Sequence, residues 1–325
     1  MELIFSEKFK LLVVFISSTL VGYFVFCLPL IWLLRVLKAS QQIRPEGPSS
    51  HYEKAGTPTM GGAAIVATIL VFFLILLNVD IDIKYAGLLI LIIGYALTGF
   101  LDDYIKVKSR TNQGLEGRHK MLLQISFALI FGFFLLFSSH NESVGGILKI
   151  LYFSSPVLYL PLVVLICVAA SNSVNLTDGL DGLAAGTLII TFLAFALLSY
   201  KLDLINEAII SMSAAGATLA FLPFNFTKAQ VFMGDVGSLP LGGLLAGIAI
   251  LLHKELLLII IGGIFVAETL SVIIQVASYK LFQKRIFKMS PLHHHFELMG
   301  VPETTIVVGF WLAQAIFASL GAWLG

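Results

Sequence analysis

Residues 175–182 read Asn-Leu-Thr-Asp-Gly-Leu-Asp-Gly and sit between two strongly apolar stretches. Asp178 and Asp181 are three apart, so a helix starting there would bring both carboxylates onto one side. A carboxylate pair suits two tasks: holding a hard divalent cation such as Mg²⁺, or handling protons. An acidic loop merely solvated at a surface would look the same in isolation, so the other polar segments carry weight. Asp102 and Asp103 follow an apolar run whose C-terminal end should repel acids through the helix dipole, which calls for a cation or a lysine nearby. Asp235 stands between Gly234 and Gly237, as expected where backbone approaches a ligand, and a lone carboxylate there suits Mg²⁺. Asn225 opens the same segment.

Three further segments are rich in groups that meet phosphates or sugars. Lys54 precedes Gly-Thr-Pro-Thr-Met-Gly-Gly (56–62). Pro58 there predicts the first turn of a helix, with Thr57 and Thr59 capping amides that attract phosphate. Lys106 and Lys120 stand at the ends of apolar runs, where they could reach a phosphate or tune an acid. Lys108, Arg110 and Arg118 between them fit a loop that sets membrane topology. His293, His294 and His295 are consecutive, so they cannot all face one metal from a helix or strand, and hydrogen bonding to a phosphate or sugar suits them better. Glu268 is an acid deep in the apolar stretch 256–277. It should face a partner inside a bundle, but the sequence names none.

The elements that position these groups follow from composition. The chain has 325 residues, 58% hydrophobic and only 12% charged, with a mean hydropathy of +0.97. Soluble proteins carry about 25% charged residues. Spans of roughly 20 apolar residues fit at 11–34, 58–77, 85–101, 121–138, 156–174, 182–200, 205–223, 237–252, 255–279 and 304–324. This predicts an all-α polytopic membrane protein with about ten transmembrane helices and a single domain over 1–325. If the chain alternates across ten spans, Lys8, Lys10, Lys84, Lys149, Lys201 and Lys254 fall on one side and the other 14 of its 20 basic residues on the opposite side. The positive-inside rule then puts both termini outside. The loops 38–57, 102–120, 171–181, 224–236 and 280–303 face the cytoplasm and converge there. Cys27 and Cys167 lie within spans and imply neither a disulfide framework nor zinc. A transporter would need polar residues threaded through its spans, and Glu268 alone fits that description.

Carboxylates, phosphate-seeking lysines and helix N-termini on one membrane face point to phosphoryl chemistry with a nucleotide-type donor and a lipid-soluble acceptor. Lys-Ala-Gly-Thr-Pro-Thr-Met-Gly-Gly (54–62), Gly-Phe-Leu-Asp-Asp-Tyr-Ile-Lys-Val (99–107), the segment 172–184 around the octet, Val-Phe-Met-Gly-Asp-Val-Gly-Ser-Leu (231–239) and Pro-Leu-His-His-His-Phe-Glu (291–297) carry a resemblance across nearly the whole chain. It resembles the bacterial phospho-N-acetylmuramoyl-pentapeptide transferases, a family of the polyprenyl-phosphate N-acetylhexosamine-1-phosphate transferase superfamily. The acidic motifs are shared across the superfamily, and the Thr-Pro-Thr-Met-Gly-Gly and triple-His segments point to this family.

The resemblance implies ten spans in the bacterial inner membrane, an active site facing the cytoplasm, and a homodimer. It implies transfer from UDP-MurNAc-pentapeptide to undecaprenyl phosphate with Mg²⁺, giving lipid I and UMP, and no nucleic-acid partner. A sister activity using UDP-GlcNAc is the alternative. By motif position, Asp102 is the base or nucleophile, Asp103 supports the metal or acceptor phosphate, and Asp235 is a Mg²⁺ ligand. His294 joins these as catalytic, and Asp178 joins Asp235 at the metal. Lys54, Thr59, Lys106 and Lys120 would meet phosphates. Asn172, Asn175, Asp178, Asp181 and Asn225 would line the nucleotide region, and His293 and His295 the sugar-phosphate side. Lys228, Pro240 and Val301 depart from the family pattern.

Overall fold

In lipid every backbone N–H and C=O must be satisfied within its own segment, so apolar runs of this length fold as helices. The computed structural model describes residues 2–37, 39, 40, 54, 56–77, 82–138 and 156–325. Lys38, Arg44 and Lys149, with most of the loops expected at 38–57, 78–84 and 139–155, lie outside them. The described residues are almost wholly helical. In chain order they form α1 (Glu2–Val21), which passes through a wide helical turn (Gly22–Cys27) into α2 (Leu28–Val36), then α3 (Gly62–Leu77), α4 (Ile83–Ser109), α5 (Gly117–Leu136), α6 (Pro156–Thr177), α7 (Leu183–Lys201) and α8 (Ile205–Asn225). After these come α9 (Asp235–Leu251), α10 (Glu255–Ile261), α11 (Gly263–Phe282), α12 (Leu292–Glu297) and α13 (Glu303–Leu324). Eight of the described helical runs are long and apolar enough to cross a membrane, and α3 and α9 are shorter apolar helices. The chain is a multi-pass membrane protein.

A helix that is apolar all round must be buried, and α9 is the example: all 17 of its residues are buried. It packs chiefly against α4 and α6 and more lightly against α3, α7, α8 and α10. Outward faces of α1, α2, α11 and α13 expose Leu, Ile, Phe and Trp, as lipid-facing surfaces do.

Several boundaries differ from the expected ones. α4 continues two turns beyond Asp103 to Ser109, so the two acids lie inside a helix and not at its C-terminus. Lys106 sits one turn on, close to both, and neutralises them locally. Pro58 does not open α3: it pairs with Ser40 in an isolated bridge, and the helix starts at Gly62. The 255–279 stretch breaks at Gly262 into α10 and α11. Lys228 adopts a φ of 69°, a backbone conformation closed to proline, so the loop after α8 takes a course of its own.

Candidate active site

Close approach of α4 to α9 builds the site. Gly99 faces the Asp235 carbonyl so closely that a Cβ would lie 2.1 Å from its oxygen. One turn later on α4, Asp102 and Asp103 meet the first turn of α9. Asp103 is fully buried, and its Oδ2 accepts the Val236 amide at 3.1 Å, satisfying one of the N–H groups a helix start leaves open. Its Oδ1 is buried with no hydrogen-bond partner, 3.8 Å from Lys106 Nζ.

Asp102 contacts Lys106 through Oδ2 at 2.5 Å and accepts the Leu115 amide through Oδ1 at 2.9 Å. Gly114 lets that loop approach, since a Cβ there would lie 2.5 Å from the Asp102 carboxylate. Asp235 stands at the favourable end of α9's dipole. Its Oδ2 meets Lys120 at 2.5 Å and Lys106 at 3.4 Å, and its Oδ1 accepts from Asn175 Nδ2 at 2.8 Å. One oxygen from each of Asp102, Asp103 and Asp235 lies within 4.8 Å of the others. Three hard oxygen donors, one lacking any hydrogen-bond partner, fit Mg²⁺.

The octet resolves differently from its expected helix start. α6 runs through Thr177, residues 178–182 make turns, and α7 begins at Leu183 after Gly182 at φ 79°. The two acids therefore diverge. Asp178 falls within the field of the cluster: burial first, then the Asp235 and Asp103 charges, push its carboxyl well above the ordinary range, against a pull from the Gly234 amide. Asp181 turns to Lys54 at 2.7 Å and accepts the Ala229 amide at 2.8 Å.

Lys54 also meets Glu303 at 2.6 Å. Burial alone would lower the Lys54 ammonium, but Asp181 and Glu303 outweigh it and hold it above its usual value. Glu303, which further accepts the Asp181 amide at 2.8 Å, was not among the residues the sequence singled out. Its sole signal was an acid in the first turn of a helix after Pro302. Asn225 accepts the Gly182 amide at 3.1 Å and donates to the Val231 carbonyl at 3.0 Å, tying the octet to the α8–α9 loop.

These groups surround an open cavity of about 1110 Å³. Lys54, Asp102, Lys106, Lys120, Asn175, Asp178, Asp181, Asn225, Asp235, His293 and His294 all line it. Four expected site residues do not. Asp103 lies behind the wall. Thr59 is buried beneath Gly234, its amide bonded to the Ala39 carbonyl and its hydroxyl without a partner. Asn172 donates to Gln124 at 3.0 Å, and His295 accepts the Lys288 amide at 3.1 Å. The histidines thus divide their work on α12. His294 meets Glu297 at 2.7 Å, and His293 Nδ1 lies 3.2 Å from Glu268 Oε1, which supplies the partner the sequence left unnamed.

Residues 85–253 match the family model for glycosyl transferase family 4, and residues 54–66 match phospho-N-acetylmuramoyl-pentapeptide-transferase signature 1. The chain is 50% identical over 297 residues to the phospho-N-acetylmuramoyl-pentapeptide-transferase of Shouchella clausii, covering 90% of each chain. Over 299 residues it is 50% identical to that of Oceanobacillus iheyensis, again covering 90% of each. With the Bacillus subtilis protein of the same name it shares 48% identity over 301 residues, 91% of this chain and 92% of the relative.

Proposed function

The chain belongs to the phospho-N-acetylmuramoyl-pentapeptide-transferase family, and from that premise we propose that it moves phospho-MurNAc-pentapeptide from its UDP donor to undecaprenyl phosphate, yielding lipid I and UMP. The observation that carries the chemistry is the buried cluster of Asp102, Asp103 and Asp235 at the cavity. Asp103 Oδ1, buried without a hydrogen-bond partner, and Asp235 would hold Mg²⁺, with Asp178 beside them. When bound, the ion would neutralise charge developing on the diphosphate as UMP departs.

The remaining work falls to the chain's own side chains. Asp102 lines the cavity, and its Oδ1 is steadied by the Leu115 amide. It orients the acceptor phosphate or takes its proton. The acceptor oxygen attacks the β-phosphorus as the bond to the UMP oxygen breaks, and the leaving group keeps the electron pair. A rival path has Asp102 itself attack first. UMP release from enzyme and donor without acceptor would favour the rival and sink the single displacement. Lys106 and Lys120, already against Asp235, supply positive charge beside the reacting phosphates.

In this reading the protein lies in the bacterial inner membrane as a homodimer, its cavity toward the cytoplasm, where the soluble donor is found. Incubation with polyprenyl phosphate, Mg²⁺ and either UDP-MurNAc-pentapeptide or UDP-GlcNAc tests the assignment. Turnover with the first alone is expected, and turnover with UDP-GlcNAc alone would overturn it.

A further inference from the structure

Glu268 lies in the apolar body of α11 with no solvent exposure, and an acid so placed needs a partner. His293 supplies it from α12: its Nδ1 lies 3.2 Å from Glu268 Oε1, and the imidazole is itself only 1% exposed. Whichever of the two carries the shared proton, Nδ1 is occupied and Nε2 is the ring nitrogen left over. That Nε2 has no hydrogen-bond partner. It lies over Gly179, where a Cβ would come within 2.2 Å of it, and His293 and Gly179 both line the cavity.

Several of the charged groups around the cavity are already engaged by protein. Lys54 meets Asp181 and Glu303, Lys106 and Lys120 meet Asp235, and His294 meets Glu297. A buried nitrogen at the wall of a cavity, without a partner, costs free energy unless something arrives to meet it. We infer that Glu268 is a positioning residue for donor recognition: acting through His293, it aims Nε2 across Gly179 at a polar group of the nucleotide-activated donor. Gly179 belongs to the arrangement because only a residue without a side chain admits the ring. The inference rests on the transferase reading, which puts the donor in this cavity.

Steady-state kinetics of the purified full-length protein with Mg²⁺ separate the two substrates. Glu268→Gln keeps the size and hydrogen-bonding capacity of the side chain and removes its charge. It should raise KM for UDP-MurNAc-pentapeptide about tenfold, the worth of one well-placed hydrogen bond, and leave KM for polyprenyl phosphate unchanged. His293→Ala should give the same rise, and the double variant should be no worse than His293→Ala alone, because linked residues are non-additive. Losses that multiply in the double variant, or equal rises in both KM values, overturn the inference while wild-type transfer, and with it the transferase reading, stands. Should Glu268→Gln fail to fold, Gly179→Ala displaces the ring with Glu268 intact. It is expected to reproduce the donor defect, and an unchanged donor KM would refute the inference.

Discussion

Charged side chains are scarce enough in this chain that each cluster of them stands out, and the cavity residues were largely visible for that reason. Their pairings were not. Lys54 with Glu303, and His293 with Glu268, join residues far apart in sequence, and no local pattern encodes such contacts. The cluster makes the first prediction at this scale. Asp235→Asn keeps the Asn175 contact geometry but removes the charge that two lysines and a metal would share. Mg²⁺-dependent transfer should fall by on the order of a hundredfold or more, and turnover equal to wild type would refute the metal assignment.

Asp178 makes the second. Its folded-state pKa is raised by burial and by Asp235 and Asp103. Below its unfolded value, near 3.9, the group is protonated in both states and costs nothing. As pH rises from there through the folded value the penalty grows, and it is complete above that value. Asp178→Asn should therefore raise the melting temperature in EDTA at neutral pH, by about 2 °C or more, and should not raise it near pH 4. The same variant should weaken Mg²⁺ stabilisation and lower activity. A lower melting temperature in EDTA at neutral pH would show that the ionised group is favourably placed.

The helical, multi-pass character and the order of the apolar segments were legible because lipid permits little besides long apolar helices. Ends were less so. Hydropathy falls at Asp102 and suggests that the span stops there, yet Lys106 offsets both acids at i+3 and i+4 and lets α4 run to Ser109. The octet likewise looks like a helix start, but the left-handed Gly182 delays α7 until Leu183. What neither periodicity nor charge reveals is how close two helices come. Gly99 sets that distance between α4 and α9. In Gly99→Ala the new Cβ would fall 2.1 Å from the Asp235 carbonyl oxygen, and backbone cannot yield as a flexible side chain does. Overpacking of this kind costs about 1–3 kcal/mol. A lower melting temperature is expected together with a loss of transfer larger than stability alone explains, because the shift separates Asp102 and Asp103 from Asp235. Normal activity in a destabilised protein would mean that the carboxylates tolerate the displacement.

At the scale of the whole molecule, the proposed orientation rests on charge bias. Segments expected on the cavity side carry 14 of the 20 basic residues, and by the positive-inside rule that end would face the cytoplasm. Arg118, at the start of α5 near Lys120, is exposed and belongs to this end, whereas Lys201 closes α7 on the side expected to face outward. The two native thiols are suited to serve as a silent background: Cys27 and Cys167 are 1% and 0% exposed, which keeps them from an aqueous reagent. A single introduced cysteine therefore reports sidedness against little competing signal. Arg118→Cys should react with a membrane-impermeant maleimide in inside-out vesicles and stay unlabelled in right-side-out ones, with Lys201→Cys giving the reverse. If Arg118→Cys were labelled from outside, the donor would have to reach the carboxylates from a compartment that lacks nucleotide sugars, and both the orientation and the proposed reaction would fall together.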